Sequence, residues 1–270
     1  MTDICLPENL KKEIQSSLPA IDSLGSAIEQ MNPVIIAMHF HPSSNIPVAI
    51  ECYRDSLLMT RYTRLALYEA KKNSVFYSQI EKPQNLFLAA FYSRFYIDTA
   101  SIHLYSAAEH LASALVAHLD YSKDALKGIK RSSRILRLHD FLAQIADQED
   151  LRRKLESVCL SDAWKEFSSY RNNVVHNQPP ILRGLGVQYS REKKWRKEGS
   201  GYNITFPGND TPLVSIKEIY ETLVGCLSMF VDIFKTNVDC YVDLINANSH
   251  KVMGVESGRD GTYPVPSDNA

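Results

Sequence analysis

The sequence predicts an all-α protein, and three observations carry that expectation. Residues 86–119 run for more than thirty positions without Gly or Pro, far longer than a strand. Asp55–Ile80 and Ser215–Leu244 also read as long helices; in the first, apolar residues fall at 57, 58, 62, 65 and 76 with no breaker between. Only residues 187–206 alternate apolar and polar as strands do.

Taken in order, Leu6–Leu18 predicts a short amphipathic helix ending before Pro19, and Ile21–Met31 another before Pro33. The apolar run Val34–Phe40, bounded by prolines, fits a buried strand or a helix fragment equally well. Lys82-Pro83-Gln84-Asn85 is a turn signal. It is taken as the boundary between an N-terminal, mostly helical extension (1–85) and the main helical domain (86–245). In the long helix from Leu86 to Leu119, Leu104, Ala107, Ala108, Leu111 and Leu115 form one apolar stripe. Asp98, Ile102, Tyr105, Glu109 and Ala112 form a second. Lys123–Ala146 and Gln148–Leu155 follow as helices, then Ser161–Asn177, with Ser161 as N-cap, Asp162 in the first turn, and Pro179-Pro180 as the stop. Residues 181–214 are expected to hold a small β-hairpin insertion, with Val187–Ser190 and Gly199–Phe206 as strands. The polar stretch 246–270, with Gly and Pro, is expected to be a disordered tail.

Composition excludes several classes. Hydrophobic content of 44% and charged content of 23% are ordinary for a globular protein, and 270 residues can bury a sizeable core. A net charge of −1 argues against an all-over basic surface, not against a local basic patch. No apolar run approaches about 18 residues, so no membrane span is expected. Met1–Cys5 lacks the regions of a signal peptide, which points to the cytoplasm. Five scattered cysteines without a C-x-x-C pair fit reduced thiols. His39 and His41 have no third ligand at metal spacing, so neither a metal nor another cofactor is expected. P-loop, dinucleotide, serine-nucleophile and H-E-x-x-H signatures do not occur.

The stretch most informative about function is Arg171-Asn172-Asn173-Val174-Val175-His176. Its helix carries Trp164, Phe167, Tyr170 and Val174 at helical spacing, so one face is buried. Arg171 falls on that stripe, while Asn172 and His176 are i,i+4 neighbours on an adjacent face. A cation on a buried stripe is costly unless paired, which predicts a carboxylate partner: Glu109, or else Asp98. A surface arginine and a helix-terminal histidine explain the same spacing without any site.

The R-N-x-x-x-H string, set between long helices and preceded by Phe91–Asp98 and Leu104–Leu111, resembles the HEPN superfamily over roughly residues 86–245. That resemblance implies a HEPN-like helical bundle and metal-independent RNA cleavage at a cleft shared by two protomers. It implies catalytic roles for Arg171, Asn172 and His176, and it favours Glu109 as the acid on the long helix. It also admits catalytically silent members that bind RNA, a nucleotide or a protein.

The run Arg191-Glu-Lys193-Lys194-Trp195-Arg196-Lys197 interleaves cations with an aromatic ring, which suits a phosphate backbone and an unstacked base. A solvated loop tip explains it as well. A second basic set comprises Lys127, Lys130, Arg131, Arg134 and Arg137, the first four falling largely on one helical face; it is a secondary RNA-contact candidate, although a solvated face explains such a run more often. The leading expectation is an endoribonuclease, a toxin or defence effector held in check by a regulatory partner and acting as a homodimer on RNA. The alternatives are a silent binding module and a structural helical dimer whose arginine only pairs with Glu109.

Overall fold

The computed structural model describes residues 5–80, 85–145, 148–176, 194–198, 201–205 and 215–249. These fold as a helical protein around one long antiparallel helix pair. Three short helices lead in: α1 (Glu8–Ser16), α2 (Asp22–Glu29) and α3 (Pro33–Ala37). The last resolves the open choice over Val34–Phe40 in favour of helix. Asn32 caps it, its side chain accepting from Val34 N at 2.9 Å, and Pro33 sits where its missing N–H costs nothing.

The core pair is α4 (Ala49–Val75), which runs on into a π-helical turn at Phe76–Ile80, and α5 (Leu86–His118). Small buried residues let the two backbones approach closely: Ser56, Thr60, Thr63, Ala66 and Ala70 on α4, and Ser93, Ala100, Ala107 and Ala108 on α5. Two hydroxyls cross between the helices. Ser56 donates to Ala107 O at 2.9 Å and Ser93 donates to Ala70 O at 3.0 Å. Fourteen residues separate the bonds on each helix, so the register holds over about four turns. Thr60 and Thr63 satisfy their buried hydroxyls on their own helix, donating to Ser56 O and Met59 O.

Shorter helices α6 (Arg134–Leu142), α7 (Glu149–Cys159) and α8 (Asp162–His176) pack beside this pair, and α9 (Ile216–Ser249) packs against both of its helices. Near one end, Tyr53 stacks on Phe234 at 5.9 Å and bonds His118 Nδ1 at 3.0 Å, while Tyr241 donates to Ile46 O at 2.8 Å. Burial lowers the His118 pKa to about 4. One buried cluster runs from Leu18 to Tyr241, so residues before 85 share the core of the later helices rather than standing apart as an extension. The described helix α9 also continues past 245, to Ser249.

Two further expectations change. Residues 123–133 are not helical; α6 begins only at Arg134, capped by Ser133, whose side chain accepts from Leu136 N at 3.4 Å. Gly128 has φ +89°, a conformation that ends any helical run through it. The basic set therefore shares no helical face, and two of its members are held in ion pairs. Lys127 pairs with Asp124 at 2.9 Å and Arg131 with Asp140 at 2.5 Å.

The backbone of β1 (Lys194–Glu198) pairs antiparallel with β2 (Gly201–Thr205), with Lys194 opposite Thr205 and Glu198 opposite Gly201. Lys194, Trp195, Arg196 and Lys197 thus lie on a strand, not on the loop tip expected for them. Val187–Ser190, Arg191 and Lys193 fall outside the described residues, as does the tail from 250 onward. No described helix is long and apolar enough to cross a membrane.

Candidate active site

The motif helix α8 starts where the sequence places it. Ser161 caps it, its hydroxyl accepting from Trp164 N at 3.1 Å, and Asp162 sits in the first turn. Trp164, Phe167 and Tyr170 are buried, the first two meeting edge to face at 4.9 Å. Tyr170, not Arg171, takes the innermost position of the stripe. Its hydroxyl donates to Asp98 on α5, whose other oxygen faces Arg94 Nε at 3.5 Å. Burial raises the pKa of Asp98, and the bond from Tyr170 opposes that rise. Asp98 therefore ties α8 to α5 rather than pairing with Arg171.

Arg171 lies one position round from Tyr170, half-buried at the edge of the stripe. Its guanidinium carbon sits 4.1 Å from the centroid of the Tyr105 ring, and one terminal nitrogen donates to Asn172 Oδ1 at 3.1 Å. The expected carboxylate pairing is not found among the described residues. Glu109 instead accepts from Arg134 N at 2.7 Å, at the start of α6, where the helix dipole favours an acid. Burial raises the Glu109 pKa, while Arg134 pulls it back. Arg171 Nε is buried with no hydrogen-bond partner among the described residues.

His176 closes α8 and is exposed. It stands four residues after Asn172, so the two share a helix face about 6 Å apart along the axis. On that same face, toward the N-terminus, lies an open cleft of about 460 Å³. Its α8 wall is Trp164, Lys165, Ser168, Ser169, Asn172 and Asn173; Tyr105, Ser132 and Leu136 close the other side. Cys159 also lines it, but burial pushes that thiol up to about 12, which removes it as a nucleophile near neutral pH.

Of the residues singled out in the sequence, the fold brings Arg171, Asn172 and His176 together on the C-terminal half of α8. Asp98 and Glu109 have structural partners instead. Tyr105, Ser168 and Ser169 were not anticipated in the site. The i,i+4 spacing of Ser168 and Ser169 with Asn172 and Asn173 was a signal that could have flagged them. No described group of three or more His, Cys, Asp or Glu side chains is placed to hold a metal. Searches of protein-family models, curated proteins and solved structures gave no match to this chain.

Proposed function

We propose that this chain is a HEPN-like domain that cuts RNA by attack of a 2′-hydroxyl on the adjacent phosphorus. The observation that carries the reading is the helix end itself. Arg171, Asn172 and His176 stand together on α8, and among the described residues the guanidinium bonds the side chain of Asn172 rather than an acid. A cation held by an aromatic face and a carboxamide keeps its charge available for a phosphate.

In the reaction the 2′-oxygen forms a bond to phosphorus as the bond from phosphorus to the 5′-oxygen breaks. One proton leaves the 2′-hydroxyl and one reaches the departing oxygen. His176 moves a proton, a contribution of about 10² to 10⁴ in rate. Arg171 stabilises charge on the phosphoryl oxygens. Asn172, its carbonyl already accepting from Arg171, can turn its amide N–H groups to orient the phosphate.

One chain offers one such histidine, so a second copy supplies the other. The face for it is the outer side of α5 and α4, where Phe87, Phe91, Phe95 and Ile102 are exposed beside Leu58, Tyr62 and Leu65. Ile102 lies one turn from Tyr105, the ring beneath Arg171. A two-fold axis along this stripe brings both motif helices toward one cleft. The test is the end chemistry of the cut. Products ending in a 2′,3′-cyclic phosphate and a 5′-hydroxyl support the reading, and 3′-hydroxyl ends contradict it.

A second reading has its own observation. An arginine stacked on Tyr105 and bonded to its neighbour also suits a module that binds RNA or a nucleotide without cutting it. Binding without cleavage by the wild type selects that reading.

A further inference from the structure

We infer that the cleft beside Asn172 is a base-binding subsite, holding one nucleoside of a single-stranded RNA next to the phosphodiester presented to His176. The inference rests on the ribonuclease reading for its substrate, but it is argued from the cleft. Its volume of about 460 Å³ lies in the range of small-ligand sites, about 300–1,000 Å³. The middle of its α8 wall, between Lys165 and His176, is neutral and polar: Ser168, Ser169 and Asn172 offer both donors and acceptors, the chemistry that reads the edge of an unstacked base. Leu136 and the Tyr105 ring give the apolar surface such a base needs.

Direction comes from the helix. Lys165, Ser169, Asn172 and His176 fall on one line along α8. Lys165 marks the end remote from His176. Its ammonium, 3.0 Å from exposed Asp162, is held only weakly and can turn to a phosphate. A chain laid along this row has its base over Ser169 and Asn172 and its next phosphate toward His176, about one turn on. The sequence motif alone locates the reacting end; the cleft assigns what is held beside it.

The experiment is titration of the full chain with 5′-AMP, 5′-GMP, 5′-CMP and 5′-UMP, with ribose 5-phosphate as the probe lacking a base. Binding is followed by calorimetry. At least one mononucleotide should bind while ribose 5-phosphate does not. Ser169→Trp, which fills the cleft from an exposed helix position, should weaken that binding by about tenfold or more. Lys165→Glu, an exposed change that spares folding, should weaken it too, and Lys217→Glu, a charge reversal on α9, should not. Cleavage of the four homopolymer oligonucleotides forms the second arm. The base bound best should be the base preferred, and Ser169→Trp should lose the preference. RNA cleavage with no mononucleotide bound, or equal binding by Ser169→Trp and Lys165→Glu, overturns the subsite and leaves the ribonuclease reading standing. Base-dependent binding lost in both variants but without RNA cleavage upholds the subsite and removes the ribonuclease.

Discussion

Arg171 lies over the Tyr105 ring, its guanidinium carbon 4.1 Å from the ring centroid, and this contact helps to set the position of the motif arginine. The ring comes from α5 and the arginine from α8, so the site depends on how those two helices pack. Tyr105→Phe keeps the ring face and should retain RNA cleavage, whereas Tyr105→Leu should reduce kcat by about tenfold or more as the guanidinium loses its platform. Fold stability should change by only about 0.5–1 kcal/mol. Equal activity in both variants would remove Tyr105 as a positioning residue.

Glu109 caps α6 and is not the partner of Arg171. Glu109→Ala should therefore lower stability by about 1–2 kcal/mol, the usual effect of losing an acceptor at a helix N-terminus. The denaturant midpoint measures it. Activity per folded molecule should persist; an activity loss as large as that of Arg171→Ala would restore the acid–arginine pair.

Much of this architecture was legible in the sequence. Breaker-free length and apolar spacing placed α4, α5, α8 and α9, and Ser161 announced the start of α8. The late start of α6 was legible too, in Gly128 and in Ser133 standing just before Arg134, but the basic residues at 127–134 read as a helix face. Glu109 could not be assigned from sequence. An acid on α5 can face either α8 or the start of α6, and only the packing of α6 decides which. The same holds for the cleft, whose walls come from four separate segments of the chain. Arg171 was misplaced by one helical position, because 3.6-residue spacing lets either 170 or 171 continue the stripe through 164 and 167.

His118 should make the protein acid-sensitive. Burial holds its folded pKa near 4, below the unfolded value of about 6.5. Between those values the unfolded chain binds more protons, so stability present above pH about 6.5 falls as the pH drops toward 4. The loss is on the order of 3 kcal/mol at full extent. Asp98 and Glu109, whose folded pKa values are raised, act in the opposite sense in the carboxylate range. Thermal melts from pH 7 to 5 check this, and His118→Gln should flatten the slope. An unchanged slope in that variant would place the sensitivity elsewhere.

The basic run through β1 should act on binding rather than on chemistry. Substituting Lys193, Lys194 and Lys197 with Gln together should weaken RNA binding and flatten its dependence on salt, while cleavage at saturating RNA changes little. Salt titration of RNA affinity is the check. An unaltered slope would make the run a solvated surface only.

The central claim is that the end of α8 performs proton transfer on RNA, and His176→Ala tests it most directly. The variant should fold as the wild type does, because an exposed, helix-terminal side chain contributes little to the core. With purified protein and single-stranded RNA in chelator, the wild type should cut, and His176→Ala should be slower by about 10² or more. Full activity in His176→Ala, or activity in the wild type only when magnesium is supplied, would contradict the account.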